Sequence, residues 1–245
     1  MRRCLAVLEY DGARYAGFQR QKEHLTIQEE IEKALASVIQ EEVRVVGAGR
    51  TDAGVHATGQ VVSFSTGWGR GLEELRRALN ALLPPDIAVL ELREVAPTFH
   101  ARRSARSRHY RYAILHRPVR SPLSRLYSYY WVGELDVEAM REAASHLLGV
   151  HDFASFGRGR PGGSTVRQVL RADCVEEGGY IYIDIVANAF LRRMVRSIVG
   201  TLLLVGRGGL SLQGFREVLE AKDRSRAGDV VPPQGLCLVE VNYEG

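Results

Sequence analysis

Two short runs rich in β-branched residues, Val43–Val46 and Val61–Phe64, enclose the segment Gly47-Ala48-Gly49-Arg50-Thr51-Asp52-Ala53-Gly54-Val55-His56-Ala57. Runs of this kind predict strands, so the segment between them is a loop thrown off a sheet. Its glycines supply positive φ angles or a close backbone approach that a Cβ would forbid. One carboxylate, Asp52, stands in the loop two residues from Arg50. A loop anchored on a sheet is a way to present a single reactive group. Two readings fit the pair. Arg50 and Asp52 form a surface ion pair of the kind that contributes little, or the arginine keeps Asp52 ionised and lowers its pKa.

The elements around the loop come in a recognisable order. Cys4–Glu9 reads as a strand, and a helix follows from Thr26, whose spacing to Glu29 makes a capping box. Ile27, Ile31, Leu35 and Val38 give that helix one apolar stripe. After the two strands comes a helix carrying Leu72, Leu75, Leu79 and Leu82, stopped by Pro84-Pro85. Ile87–Val95 then returns as a strand, completing β-α-β-β-α-β, the ferredoxin-like unit. Ser107–Leu115 opens a second round, followed by a helix over Val137–Leu148. A hairpin follows, Val169–Val175 with Tyr180–Val186, then helices over Ala189–Val205 and Leu212–Ala221 and a strand at Leu236–Val241. The fold class is therefore α+β: two ferredoxin-like halves, 1–103 and 104–245, whose antiparallel sheets join into one, with helices on one side and a cleft on the other. Joining removes two exposed sheet edges.

The 45 % hydrophobic content suffices for a core, and no segment is long or apolar enough to span a membrane. Met1-Arg2-Arg3-Cys4-Leu5 leads straight into a strand without a cleavage pattern. The three cysteines, Cys4, Cys174 and Cys237, form no CxxC pair and no disulfide framework, so a reducing cytoplasm is expected, with all three as small core residues. Net charge is only +4, but its distribution is uneven. Pro97 to Gly133 contains no acid yet holds arginines from Arg102 to Arg125. Phe153 to Ala172 is acid-free too, with Arg158, Arg160, Arg167 and Arg171. Acids cluster instead at Glu23–Glu42 and Glu134–Glu142, on helices. Such segregation builds a basic face for a polyanion. Loops Arg117–Leu126 and Gly157–Ser164 are candidates to order on RNA. Asp52 and His56 are spaced to share a metal on a helix, but Gly54 between them argues against a helix. The loop also lacks the GK[ST] ending of a phosphate-binding loop. His151-Asp152 reads as a structural element at a helix end.

Several segments resemble one family in order along nearly the whole chain. The loop reads GxGRTDxGVHAxxQV. Tyr10-Asp11-Gly12 with Tyr15, Gly17, Gln19 and Gln21 forms an opening YDGxxYxGxQxQ. Ser107-Arg108-His109-Tyr110-Arg111-Tyr112, His151-Asp152-Phe153, the run Phe190–Gly200 and Pro232-Pro233-Gln234-Gly235-Leu236 complete the series. This pattern resembles the tRNA pseudouridine synthase A family. Its one departure is Ala187-Asn188, where the pattern has a glycine.

The resemblance implies an isomerase that converts uridine to pseudouridine in the anticodon arm of tRNA, at positions 38, 39 and 40. It further implies a homodimer with one RNA lying across both subunits. The reaction detaches uracil at N1 and rejoins it through C5, so no redox change and no cofactor is required. Asp52 is the catalytic carboxylate, suited to covalent attack or to removing a proton from the sugar. The target base must leave its stack, and Tyr110 is the candidate ring to receive it. Tyr110 and Tyr112 share one face of their strand, opposite Arg111, so one of them is core and the other pocket. Arg196 lies beside a buried stripe of Leu191, Val195, Ile198 and Leu202, where an arginine is costly unless it meets an anion; Asp52 is the expected partner. Arg50 either orients Asp52 or fills the space of the flipped base. Leu236 caps the uracil pocket by resemblance. Arg192, Arg193, Arg108, Arg158 and Arg160 are weaker candidates for RNA contact. Two other readings remain at this stage: a non-catalytic RNA-binding protein of paired ferredoxin-like units, and a nucleoside-cleaving enzyme with Asp11 as second carboxylate.

Overall fold

The computed structural model describes residues 1–244. Along the chain run β1 (Arg2–Tyr10), α1 (Ile27–Ile39), β2 (Val46–Gly47), β3 (His56–Thr66), α2 (Leu72–Leu82) and β4 (Ile87–Glu94). Next come β5 (Ser107–His116), β6 (Tyr129–Trp131), α3 (Val137–Ser145), β7 (Gly149–Asp152), β8 (Val166–Glu177) and β9 (Tyr180–Ala187). The last are α4 (Met194–Gly206), α5 (Leu212–Ala221) and β10 (Leu236–Asn242). They pack as two units, the first formed by Met1–Arg106 with the segment from Cys237 onward, the second by Ser107–Leu236. Among the described residues no helix is long and apolar enough to cross a membrane.

In the first unit the strand order is β4-β1-β3, antiparallel throughout, with β2 antiparallel on β3. With α1 and α2 this is the expected β-α-β-β-α-β unit. Thr26 caps α1 by accepting the Glu29 N–H, and α2 ends where Leu83 precedes Pro84. β10 was expected to close the second half. It runs parallel to β3, with Cys237 opposite His56, and is grouped with the first unit. Cys237 there is half-buried, whereas Cys4 and Cys174 are core residues; all three are free thiols.

The strand expected at Val43–Val46 shrinks to the two residues of β2. Val43 and Val45 are buried as the pattern demands, but α1 occupies the backbone at Val45. Glu32 accepts the Val45 N–H at 3.1 Å, and Gln28 donates to its carbonyl at 3.2 Å. Two helix side chains thus do what a neighbouring strand would have done. β3 is buried on both faces, because residues 97–104 lie over it. Ala101 N–H donates to Ser63 Oγ at 3.1 Å, and Arg3 reaches both Phe99 O and Ser63 Oγ.

The second unit has the order β5-β9-β8-β7, antiparallel, with the short β6 parallel to β5. β8 and β9 form the expected hairpin, turning at Gly178-Gly179. Tyr110, Tyr112 and Ile114 of β5 share a buried face with Ile181, Ile183 and Ile185 of β9. α3 packs on β8 and against α4. Two expectations shift here. His151 and Asp152 lie on β7, paired with Arg167 and Val166, not at a helix end. α4 starts at Met194 rather than Ala189, because Arg193 adopts φ 64°, outside the helical region, and Arg192 bridges to Arg158.

The opposite face of β5 carries a buried charge. Asp184, 3 % exposed, accepts both Arg111 Nε (2.9 Å) and Nη2 (3.0 Å), and His109 Nε2 lies 2.6 Å from Oδ1. Burial pushes the Asp184 carboxyl up, but the bonds from His109 and Arg111 outweigh it and hold it below the usual carboxylate range. A carboxyl lowered on folding adds stability above its unfolded pKa of about 3.9 and loses it as pH falls through the folded value. Asp184→Asn is therefore expected to lower the unfolding free energy by about 2 kcal/mol at neutral pH. The gap to the native protein should narrow below about pH 4. Urea unfolding at the two pH values reads this directly, and an equal gap at both would remove the pair from the account.

Candidate active site

Asp52 lies in the loop between β2 and β3, half-buried, and what fixes that loop is the segment Tyr10–Phe18. Thr51 is 6 % exposed. Its carbonyl accepts the Phe18 N–H at 3.1 Å, and its hydroxyl meets Tyr10 Oη at 2.8 Å. Gly54 N–H donates to Tyr15 O at 3.3 Å, and Val55 N–H donates to Asp52 O at 3.2 Å, closing a tight turn around the acid. Gly54 has φ 75°, the positive angle expected of the loop glycines. Two glycines of the opening motif have a steric reason. A Cβ on Gly12 would stand 2.0 Å from Val55 O, and one on Gly17 would stand 2.7 Å from Thr51 O. The YDGxxYxG spacing is thus the shape of a backbone laid against the Asp52 loop.

Three further side chains brace this arrangement. Gln60, fully buried in β3, clamps Gly49 from both sides: Nε2 donates to Gly49 O at 2.9 Å, and Oε1 accepts Gly49 N–H at 3.3 Å. Its amide also donates to Tyr10 Oη at 3.4 Å, leaving the phenol proton for Thr51. Burial raises the Tyr10 hydroxyl far above its ordinary pKa, so it stays neutral as a donor. His56 Nδ1 accepts the Gly12 N–H at 3.1 Å, with Asp11 Oδ1 also 3.1 Å away. His56 and Asp11 are therefore part of the brace. Tyr15 donates to Asp86 at 2.6 Å; burial first and that bond second push its pKa up to about 12.

Of the two readings for Arg50, the geometry bears on the first. Thr51 is held inward by Tyr10 and Phe18, while Arg50 is turned to solvent. No ion pair among the described residues joins it to Asp52. Its orienting role through direct pairing is not what this structure contains.

In the second unit Tyr110 is 7 % exposed and meets Phe190 edge to face, ring centres 5.0 Å apart. Tyr112 is the core member of the pair. It is fully buried, its hydroxyl donates to Pro232 O at 2.8 Å, and Gly235 packs on its ring. Arg196 Nε donates to Val231 O at 2.7 Å, so it fixes the same Val231–Gly235 segment that leads into Leu236, itself 7 % exposed. Asn188, at the departure from the pattern, exchanges hydrogen bonds with the Gln168 backbone through its own N–H and its side-chain oxygen. Arg158, Arg160, Arg192 and Arg193 are exposed, but Arg108 is buried (8 %) with Nη1 on Asn188 O at 2.7 Å, a strand brace and not a surface cation.

A family model described as tRNA pseudouridine synthase matches residues 6–102 and 143–244. The chain belongs to that family. A tRNA pseudouridine synthase A of Geobacter sp. (strain M21) is 46 % identical over 245 residues, covering 99 % of each chain. One from Citrifermentans bemidjiense is 45 % identical, covering 100 % of this chain and 98 % of its own. One from Moorella thermoacetica is 47 % identical, covering 98 % and 99 %. Family members of this name are isomerases. The matched segments include the Asp52 loop, its Tyr10–Phe18 brace, Arg196 and Leu236, while Tyr110 falls outside them.

Sequence reasoning placed Asp52 in a rigid loop but did not see Gln60, Thr51 and Tyr10 as the parts that make it rigid. The signal was present. A glutamine inside an apolar strand must bond something when buried. Gln60→Leu keeps the bulk but strands Gly49 N–H and O, and is expected to lower stability by about 1–3 kcal/mol. Hydrogen exchange at Gly49–Gly54 should speed up in this variant. Unchanged exchange would mean that the loop is held without the clamp.

Proposed function

We propose that this protein isomerises uridine to pseudouridine in the anticodon stem-loop of tRNA, at positions 38, 39 and 40, with Asp52 as the acting carboxylate. The reading is carried by one observation: a single acid displayed on a turn whose backbone is pinned by Tyr15, Phe18 and Thr51. Fixed placement of a reacting group is where much of a catalytic advantage arises. The chemistry asks for one ionised carboxylate near the sugar and a site for the freed uracil, with no cofactor. The relatives that match this chain over nearly their whole length are named tRNA pseudouridine synthase A, which supports the reaction class.

In this proposal the target uridine is flipped from its stack. Tyr110 receives the base, in a site shared with Arg196 and Leu236. Ring stacking is worth about 1–3 kcal/mol per base, and the edge-on Phe190 contact keeps the Tyr110 ring in one orientation. Exposed Arg50 is suited to filling the space left in the stack. Arg192, Arg193, Arg158 and Arg160 contact the RNA backbone. The enzyme works in the cytoplasm as a homodimer, and its free thiols fit that compartment.

Asp52→Asn removes charge and little volume. It is expected to cut product formation by about 10²–10⁴-fold or more while tRNA affinity is kept, as read by tritium release from tRNA carrying 5-tritiated uridine. Mapping pseudouridines on tRNA incubated with the native protein tests reaction and position together. Turnover retained by Asp52→Asn removes Asp52 from the mechanism. Binding of tRNA by the native protein without any pseudouridine would leave the RNA-binding reading in its place.

A further inference from the structure

Four arginines from three separate stretches of the second unit converge on one concavity of about 260 Å³. Arg158 comes from the loop after β7, Arg192 and Arg193 from the approach to α4, and Arg224 from a 3-10 turn after α5. Phe156 and Val230 complete the walls, and no carboxylate lines it among the described residues. We infer that this pocket is a subsite for a backbone phosphate of the RNA, gripped by Arg158, Arg192, Arg193 and Arg224.

The pocket is built, not a chance meeting of long side chains. Arg158 and Arg192 are joined by a β-bridge, Arg192 N–H donating to Arg158 O at 3.4 Å. A Cβ on Gly157 would stand 2.6 Å from Leu191 Cβ, so the absence of one lets the two segments close up. Arg193 holds a left-handed φ of 64°, uncommon for a residue with a Cβ, and its carbonyl accepts the Ser197 N–H of the first α4 turn. Asp223 fixes the turn that carries Arg224, accepting Ser225 N–H and donating its own N–H to Ser155 Oγ. Guanidinium groups do not lose their protons, so the concavity stays cationic, and Arg224 Nη1 is steadied there by Ala227 O at 3.4 Å. Their planar forks match phosphate oxygens. The ligand is a phosphodiester and not a free nucleotide. Phe156, the aromatic wall, is fully buried against Phe153 and Phe215 and offers no face to a base.

This inference rests on tRNA being the substrate, and it assigns Arg224, which the sequence did not single out. Its test is Arg224→Gln beside Arg224→Lys, with the native protein as reference. For Arg224→Gln, KM for tRNA should rise about tenfold while kcat holds. The slope of log affinity against log salt should flatten by about 0.7–0.9. Arg224→Lys should recover most of the slope. Ethylation of one tRNA phosphate should weaken the native protein and leave Arg224→Gln indifferent. Native affinity and slope in Arg224→Gln overturn the subsite. So does a loss of affinity at unchanged slope, which reports a damaged turn. Inorganic phosphate that stabilises the native protein without competing with tRNA would assign the pocket to a free anion and overturn it too. Failure of the broader reading looks different: the native protein would then leave tRNA unmodified.

Discussion

The site depends on two stretches of backbone lying directly against each other, Gly12–Gly17 on one side and Thr51–Val55 on the other. Where a Cβ would come within 2.0 Å of a carbonyl, no side chain but hydrogen is admissible. That contact allows the bonds Phe18 to Thr51, Gly54 to Tyr15 and Gly12 to His56 to form at all. Each is worth only about 1 kcal/mol net, and ordering the backbone costs about 1–2 kcal/mol per residue. The loop is nevertheless held because Gln60 and Tyr10 add buried bonds whose loss would strand polar groups. The folding of the first unit thus meets the ordering cost of Asp52 before any substrate arrives.

Much of the fold was legible because it is local. Thr26 and Pro84 bound their helices, and apolar runs mark β1, β4, β5 and the β8–β9 hairpin. What escaped was decided at long range. Val43–Val45 lost its ladder to Gln28 and Glu32 of α1, which no window on the strand itself contains. The start of α4 was misread because Phe190-Leu191 continue its apolar pattern, while the left-handed Arg193 interrupts its geometry. β10 reads as the end of the second half, and its parallel pairing with His56 groups it with the first unit.

The site was legible to a lesser depth. The Asp52 loop stands out by its glycine spacing, because close approach writes itself into a sequence as missing side chains. Its polar brace does not, since hydrogen-bond partners carry no fixed spacing. Arg50 is adjacent to Asp52 along the chain, but the anchoring of Thr51 turns Arg50 outward.

Charge counts mislead in a similar way. Counting places Arg108 and Arg111 in the same basic stretch, but the fold gives both partners within the sheet. Arg108 is buried on a carbonyl and Arg111 neutralises Asp184. An acid-free stretch therefore states how much positive charge must find a partner, not where that partner comes from. Two strand arginines meet carboxylates of their own sheet, Arg111 on Asp184 and Arg171 on Asp173. Exposed arginines of the second unit also stand on irregular segments, among them Arg158, Arg160, Arg192 and Arg193. A polyanion bound to the second unit is expected to be read by those segments and not by its sheet.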